Sequence, residues 1–191
     1  MVVSSSNRYS TSNHEVININ KNKEFKARNI NHNGQIQIYQ SSYRGSYSSI
    51  IRDSLRNAAL GRKVLLVQLM KGGVKQGIPN AQKLCNNLTW VRSSNSYDQY
   101  ELEDIDNNMT NSINNSIIEL WSFCKKELLT GEYDQIILDE IFLAVEMNII
   151  SEDDLISTLE NRFISGDVIL TGTSIPKKFL LMADQITELR S

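Results

Sequence analysis

Two polar segments, each directly after an apolar run, hold the residues of this chain best suited to chemistry. The first is the loop 41–48, which follows the strand-like segment 35–40 and precedes a helical pattern. The second is the pair Asp139 and Glu140, which follows the apolar run 136–138. A strand-to-helix loop can hold phosphate through backbone N–H groups at the helix N-terminus, and carboxylates can hold magnesium beside it. The two segments therefore point to a site for a nucleotide or another anion.

The loop lacks most of the residues that usually grip phosphate. Glycines provide the backbone conformations and close approach that such loops need, yet Gly45 is the only glycine between Gly34 and Gly61. A lysine normally reaches the outer phosphates, and a Ser or Thr hydroxyl normally binds magnesium. Those two positions hold Ser46 and Tyr47 here. On its residues alone, the loop does not predict a standard phosphate site.

Two interpretations of the loop remain open. Arg44 supplies positive charge, and Ser48 lies one residue beyond the expected hydroxyl position. Together with the backbone and the helix dipole, Arg44 favours weak binding of an anion. The alternative is an ordinary polar turn between a strand and a helix.

The acidic pair and Trp90 each have two interpretations as well. Two carboxylates at the end of a buried strand suit magnesium binding or the positioning of water near phosphates. Alternatively, Asp139 and Glu140 open a helix, where acidic residues are favoured. Trp90 lies between a polar turn and a polar loop, so that it either covers a flat apolar ligand or belongs to the core.

The composition is that of one globular domain. The chain has 191 residues, of which 40% are hydrophobic and 22% are charged. A net charge of −2 and a pI of about 5.7 argue against nucleic acid as the main partner, because phosphate neutralisation needs a basic surface. No apolar run is long enough to cross a bilayer and no secretory signal is visible, so we expect a cytoplasmic protein that does not bind membranes.

The cysteines and histidines do not predict a metal site. Cys85 and Cys124 show no metal-type spacing with His14 and His32. We expect each cysteine to be a small buried apolar residue in a reducing compartment.

The chain divides into a polar N-terminal segment and an α/β domain. Residues 1–33 are rich in Ser and Asn and predict a flexible tail, or alternatively a segment that orders over a bound ligand. From residue 34 to residue 191, strand and helix patterns alternate. The predicted strands are 35–40, 64–69, 87–91, 135–138, 167–170 and 186–189, and the predicted helices are 47–60, 108–129, 151–163 and 176–183.

This alternation predicts a mostly parallel sheet with helices on both faces. Ligands of such sheets bind at the carboxyl ends of the strands. The polar segments that follow strands should therefore converge on one edge of the sheet, with the loop facing the acidic pair across a shared crevice. Those segments are 41–48, 71–73, 139–140 and 171–173.

Taken in order, these pieces resemble the ATP:corrinoid adenosyltransferase family of the BtuR/CobO type over about residues 34–190. The strongest similarity is Gly-Glu-Tyr-Asp at 131–134 followed by Leu-Asp-Glu at 138–140. The segment 88–90, Leu-Thr-Trp, is similar to the family's Phe-Thr-Trp. Further similar segments are 34–39, 61–64, 71–72, 168–172 and 183–184.

The resemblance implies a three-layer P-loop NTPase fold of the RecA-like type, usually dimeric. It also implies transfer of the 5′-deoxyadenosyl group of ATP, with magnesium, to the cobalt of a reduced corrinoid such as cob(I)alamin or cobyrinic acid a,c-diamide. Because the cobalt is itself the nucleophile, the protein positions its ligands and needs no catalytic side chain. By the same resemblance, Leu88 and Trp90 line the corrin, Asp139 and Glu140 hold the metal, and the nucleotide lies against Arg44, Gly45, Ser46, Tyr47, Ser48 and Lys71.

The loop departs from the family's pattern, which reads roughly Gly-Asx-Gly-Lys-Gly-Lys-Thr-Thr. An ungapped match leaves Gly45 and Ser48 in agreement, and Arg44 keeps a positive charge. Ser46 falls on the phosphate lysine and Tyr47 on the magnesium-binding threonine. Three functions stay open: the family reaction, a non-catalytic relative with a decayed ATP site that binds a corrinoid or a protein partner, and a different anion-binding module.

Overall fold

The structure is a computed structural model that describes residues 33–45, 47–72, 74–94 and 107–189. The described residues belong to one compact unit. The predicted N-terminal tail lies outside them up to residue 32, and so does Ser46.

The described residues form a seven-stranded sheet. Its strands are β1 (Ile36–Ser41), β2 (Val64–Gln68), β3 (Gln82–Leu84), β4 (Leu88–Arg92), β5 (Gln135–Asp139), β6 (Asp167–Gly172) and β7 (Gln185–Leu189). Their order across the sheet is β3-β4-β2-β5-β6-β1-β7. Each neighbouring pair is parallel except β3 with β4, which is antiparallel. The predicted mostly parallel sheet is confirmed.

Helices cover both faces of this sheet. They are α1 (Ser48–Ala59), α2 (Asn107–Thr130), α3 (Ile141–Glu146), α4 (Glu152–Glu160) and α5 (Lys177–Met182). On one face, α1 packs in an apolar cluster that includes Ile50 and Leu66. On the other face, the remaining helices share a larger cluster that includes Ile117 and Leu65. Because Leu65 and Leu66 are successive residues of β2, their side chains point to opposite faces, which gives the three-layer arrangement.

The central strands β2 and β5 are buried over their full length. Helices cover both sides of these strands, so each reads as an almost continuous apolar run rather than an alternating one. Each run ends in one polar residue, Gln68 on β2 and Asp139 on β5, and both are buried. Buried polar side chains are therefore concentrated at the carboxyl edge of the sheet, where the site is expected.

The elements differ from the sequence-based expectation in three places. The short helix α3 and the short strand β3 were not predicted. The helix capped by Ser151 ends at Glu160, so the prediction that it carries Phe163 is wrong. The backbone N–H of Phe163 donates instead to the carbonyl oxygen of Leu128 at 2.8 Å, which directs the chain across the end of α2.

The two cysteines differ in their burial. Cys124 is buried on the inner side of α2, as predicted, and this burial raises the pKa of its thiol. Cys85 is exposed, so the prediction of a buried residue is wrong there. It lies in the tight turn between β3 and β4, where Cys85 and Asn86 both have positive φ angles of 52° and 59°. A turn of this kind faces solvent, which explains the exposure.

Within the described ranges, none of the helices has the length and apolar character that crossing a membrane requires.

Candidate functional site

The loop after β1 and the acidic pair after β5 meet at the carboxyl edge of the sheet. Arg44 Nη2 lies 2.9 Å from Glu140 Oε2, and Arg44 Nε lies 3.2 Å from Glu140 Oε1. The arginine therefore binds both oxygens of the carboxylate, the geometry in which its planar fork is strongest. The loop and the acidic pair therefore lie at the same edge of the sheet, as expected from the sequence, and there Arg44 binds Glu140 directly.

Glu140 is held in an unusual conformation. It has a φ angle of 60° and a ψ angle of 28°, the left-handed region, immediately before α3. For a residue with a side chain this conformation costs about 1–2 kcal/mol. The backbone N–H of Glu140 donates to Thr171 Oγ1 at 2.7 Å, and its carboxylate is 3% exposed against Arg44. These two contacts hold the carboxylate toward the loop.

Asp139 is 2% exposed and accepts three hydrogen bonds from side chains. Lys71 Nζ donates to Oδ2 at 3.0 Å, and Gln68 Nε2 donates to the same oxygen at 2.8 Å. Thr171 Oγ1 donates to Oδ1 at 2.9 Å. The Asp139 carboxylate is thus paired with Lys71, and both of its oxygens accept hydrogen bonds from neighbouring side chains.

Tyr47 is buried where the resemblance places a magnesium-binding hydroxyl. Its side chain is 1% exposed and packs in the cluster beneath α1. Burial, and after it the nearby carboxylates of Asp139 and Glu140, raise the pKa of the phenol to about 12. Its hydroxyl has no hydrogen-bond partner in the described structure, although the backbone of Gly172 and Ser41 is near enough to favour the phenolate slightly.

Two further residues of the predicted nucleotide loop, Gly45 and Ser48, are exposed. Gly45 is exposed with a φ angle of 83°, and a Cβ there would meet no atom within 4 Å. Ser48 is exposed at the first position of α1. The N-terminus of α1 has no side-chain cap, because Tyr47 occupies the capping position.

The two residues predicted to line a corrin differ in accessibility. Leu88 is 1% exposed within the core. Trp90 is half-buried, and its indole Nε1 donates to Gln68 Oε1 at 3.1 Å. The guanidinium carbon of Arg92 lies 4.8 Å from the centroid of the Trp90 ring. Of the two residues, Trp90 has the ring surface that a flat ligand could contact.

The acidic pair, as arranged, does not offer magnesium an open site. Both carboxylates already bind a cation of the chain, Arg44 or Lys71. Among the described residues, no group of three His, Cys, Asp or Glu side chains is placed to hold a metal. A magnesium ion would therefore have to displace an arginine or a lysine before it could bind here.

Two residues join these parts: Thr171, which the sequence placed at this edge without a role, and Gln68, which sequence reasoning missed as a site residue. Both are buried, and both bind Asp139. Their sequence signal was a single polar residue at or near the carboxyl end of a buried strand. Which carboxylate they contact depends on the order and register of the strands, which the sequence does not display.

Comparisons with known proteins indicate the family to which the chain belongs. Residues 32–191 match the family described as ATP:corrinoid adenosyltransferase BtuR/CobO/CobP. The corrinoid adenosyltransferase of Escherichia coli (strain K12) is 23% identical over 165 residues, covering 82% of this chain and 76% of the relative. The corrinoid adenosyltransferase CobA of Salmonella typhimurium (strain LT2) has the same identity and coverage.

A longer relative is also similar. An uncharacterised protein of Nostoc sp. (strain PCC 7120) is 23% identical over 178 residues, and this chain spans 44% of its length. The matched residues include every strand of the sheet, the loop 41–48 and the acidic pair Asp139 and Glu140. On the strength of that match, this chain belongs to the ATP:corrinoid adenosyltransferase family.

Proposed function

We propose that this chain is a corrinoid-binding member of its family in which the chain's own side chains occupy the magnesium-nucleotide half of the site. Trp90 is the residue proposed to lie against the corrin. Arg44 and Lys71 take the place of the metal on Glu140 and Asp139, and the ring of Tyr47 fills the space beneath the loop.

The observation that carries this proposal is the pair of internal ion pairs at the carboxyl edge. Arg44–Glu140 at 2.9 Å and Lys71–Asp139 at 3.0 Å join cations to carboxylates that are almost fully buried. Charged side chains that are paired in this way are costly to separate. The loop also lacks the lysine and the threonine that would compensate such a separation by binding Mg-ATP.

The expected loss of nucleotide affinity is large. Each charge-assisted contact to a phosphate or its metal contributes about 2 kcal/mol, so losing two weakens binding roughly a thousandfold. Ser46 and Tyr47 stand at the two positions concerned. This favours binding of a corrinoid without ATP over the complete reaction.

One observation favours a second candidate, the transfer of the 5′-deoxyadenosyl group of ATP to a reduced corrinoid. The side chains of Arg44 and Lys71 are 28% and 31% exposed, so both could turn toward a triphosphate beside the loop. Asp139 and Glu140 would then be free to hold magnesium. A homodimer is expected under this candidate, as in the resemblance.

A titration with hydroxocobalamin, followed by its absorbance spectrum, tests the proposal. We expect saturable binding by the wild type and at least about fivefold weaker binding by Trp90→Leu, since a base or macrocycle stacked on an aromatic ring gains about 1–3 kcal/mol. Thr89→Ala is the matched control, because alternation along β4 points Thr89 to the opposite face. A wild type that does not bind hydroxocobalamin would refute the proposal.

A second assay separates the two candidates. Cob(I)alamin, generated with a chemical reductant, is mixed with Mg-ATP and the protein, and the absorbance of adenosylcobalamin is followed. The proposal predicts no formation above the protein-free control. Turnover that depends on Mg-ATP would establish the adenosyl transfer instead.

A further inference from the structure

Gln68 is a buried side chain whose two ends bind two different parts of the site. It is 1% exposed and closes the apolar strand β2. Its Oε1 accepts a hydrogen bond from Trp90 Nε1 at 3.1 Å, and its Nε2 donates to Asp139 Oδ2 at 2.8 Å. An indole N–H only donates and a carboxylate only accepts, so the orientation of the amide is fixed by its partners.

The register of the sheet places Gln68 between these partners. Gln68 pairs with Asp139 on β5 and with Arg92 on β4. Trp90 precedes Arg92 by two residues, so it lies on the same face of β4. The Trp90 indole on β4 therefore reaches the Gln68 amide on the neighbouring strand β2. The same amide reaches the Asp139 carboxylate on β5, which neighbours β2 on its other side.

The network continues from Asp139 to the loop. Thr171 Oγ1 donates to Asp139 Oδ1 at 2.9 Å and accepts from the backbone N–H of Glu140 at 2.7 Å. Glu140 binds Arg44 in turn. Buried hydrogen bonds in series polarise one another, so a change of charge at one member alters its neighbours.

We propose that Gln68 is a positioning residue that holds the Trp90 indole and couples it to the ion pair of Asp139 with Lys71. A ligand or a mutation that changes this pair then changes the hydrogen bond to the indole, and with it the angle at which the ring is presented. The coupling of the indole to the ion pair follows from the hydrogen bonds of Gln68, whereas its consequence for corrinoid binding rests on the proposed function.

Indole N–H signals in a ¹H–¹⁵N correlation spectrum of the labelled protein test whether Gln68 couples Trp90 to the ion pair of Asp139 with Lys71. The chain has two tryptophans. Trp121 Nε1 donates to Asp154 Oδ2 at 2.7 Å, away from this network, so that its signal serves as an internal reference. We expect Lys71→Met and Asp139→Asn each to shift the Trp90 signal and to leave the Trp121 signal in place.

The coupling is then measured by repeating both changes without Gln68. In a Gln68→Leu background, the shifts caused by Lys71→Met and Asp139→Asn should disappear. Gln135→Leu is the matched control, because Gln135 is also a buried glutamine, 5% exposed, and accepts its hydrogen bond from Asn57 at the opposite end of β5. Shifts of equal size with and without Gln68 would overturn the inference.

Gln68→Met provides a second route should the leucine variant not fold, because methionine is unbranched and carries no amide. In the Gln68→Met background, the shifts of the Trp90 signal caused by Lys71→Met and Asp139→Asn should disappear as well. Shifts as large as those in the presence of Gln68 would count against the coupling.

Hydroxocobalamin titration addresses the functional consequence. Gln68→Leu should weaken binding about tenfold, and Gln135→Leu should leave it unchanged. If the wild type itself does not bind hydroxocobalamin, the proposed function fails while the indole signals still decide the role of Gln68. If the wild type binds and Gln68→Leu binds equally well, the positioning role fails and the proposed function stands.

Discussion

At the position where a hydroxyl for magnesium is expected, this chain places the ring of Tyr47. The side chain is buried, and its hydroxyl has no hydrogen-bond partner within the described structure. A threonine there would leave space under the loop, whereas the phenol fills it with apolar surface. Tyr47 thus packs in the apolar cluster beneath α1.

Removing the Tyr47 hydroxyl should stabilise the protein. Tyr47→Phe keeps the ring and removes a buried hydroxyl to which the described residues offer no hydrogen-bond partner, so we expect the free energy of unfolding at pH 7 to rise by about 1 kcal/mol in urea titrations. Because the folded protein raises the pKa of the phenol to about 12, the neutral form is favoured, and this contribution is complete below about pH 10 and lost as the pH rises toward 12. Tyr47→Phe should lack that alkaline loss.

The control for this change is Tyr39→Phe. Tyr39 is half-buried on β1, so removing its hydroxyl should change the free energy of unfolding by no more than about 0.5 kcal/mol. A Tyr47→Phe protein that is clearly less stable than the wild type at pH 7 would show that the hydroxyl has a partner.

Helices α2 and α4 are joined by a polar contact at the edge of the larger apolar cluster. Trp121 Nε1 and Lys125 Nζ, both on α2, donate to Asp154 Oδ2 on α4 at 2.7 and 3.0 Å. Burial by itself would raise the pKa of the Asp154 carboxyl, but the hydrogen bonds from Trp121 and Lys125 outweigh burial and lower it. The carboxylate form is therefore favoured in the folded protein.

This contact predicts a pH dependence of stability. A carboxyl whose pKa is lowered by folding stabilises the protein above its unfolded pKa of about 3.9, and this stabilisation is lost as the pH falls through the folded value. The Asp154 side chain is 42% exposed, so solvent screens its interaction with Lys125. Asp154→Asn should thus lower the free energy of unfolding at pH 7 by about 0.5 kcal/mol, seen as a lower Tm, and the difference in Tm from the wild type should shrink below about pH 4. Thermal unfolding followed by circular dichroism at several pH values measures both.

Asp153→Asn is the matched control in the same helical turn. The Asp153 side chain is 87% exposed and pairs with a surface lysine, Lys178, so its removal should change Tm little at any pH. If the difference in Tm between the wild type and Asp154→Asn stays constant from pH 7 to below about pH 4, the Asp154 carboxylate does not stabilise the fold in the way described.

Most strands were predictable from the sequence, whereas the helix after Glu140 was not. Strands such as β2 and β5 are buried on both faces and therefore appear as apolar runs with polar ends. Residues 141–145 are all buried and apolar, so α3 has no amphipathic period by which it could be recognised. Its start also depends on the left-handed conformation of Glu140, for which the sequence contains no glycine as a signal.

The candidate site was predictable in its location and not in its contacts. The loop and Asp139–Glu140 were found because both follow strands whose carboxyl ends share one edge. Arg44 was expected to hold an anion from outside, and the structure shows it bound to Glu140. That pairing depends on the distance between two loops that lie 96 residues apart in the chain, which only the folded sheet sets.

At the scale of the whole molecule, the parallel sheet brings together residues from β1, β2, β5 and β6 at one edge. The acids there are matched by cations from the chain itself, Arg44 on Glu140 and Lys71 on Asp139. The family's fold is thus retained, while the charges that would attract magnesium and a triphosphate are satisfied internally. The proposed loss of Mg-ATP binding therefore depends on the balance of charge along the whole carboxyl edge of the sheet rather than on any one residue.

Isothermal titration of Mg-ATP into the purified protein measures whether the nucleotide site is lost, with Ser46→Lys/Tyr47→Thr as the matched variant that restores the lysine and the threonine. We expect no saturation of the wild type below about 1 mM, and tighter binding by the double variant. Wild-type binding near 1 μM, at about −8 kcal/mol, would contradict this expectation, and an unchanged double variant would show that the alignment of the loop is wrong.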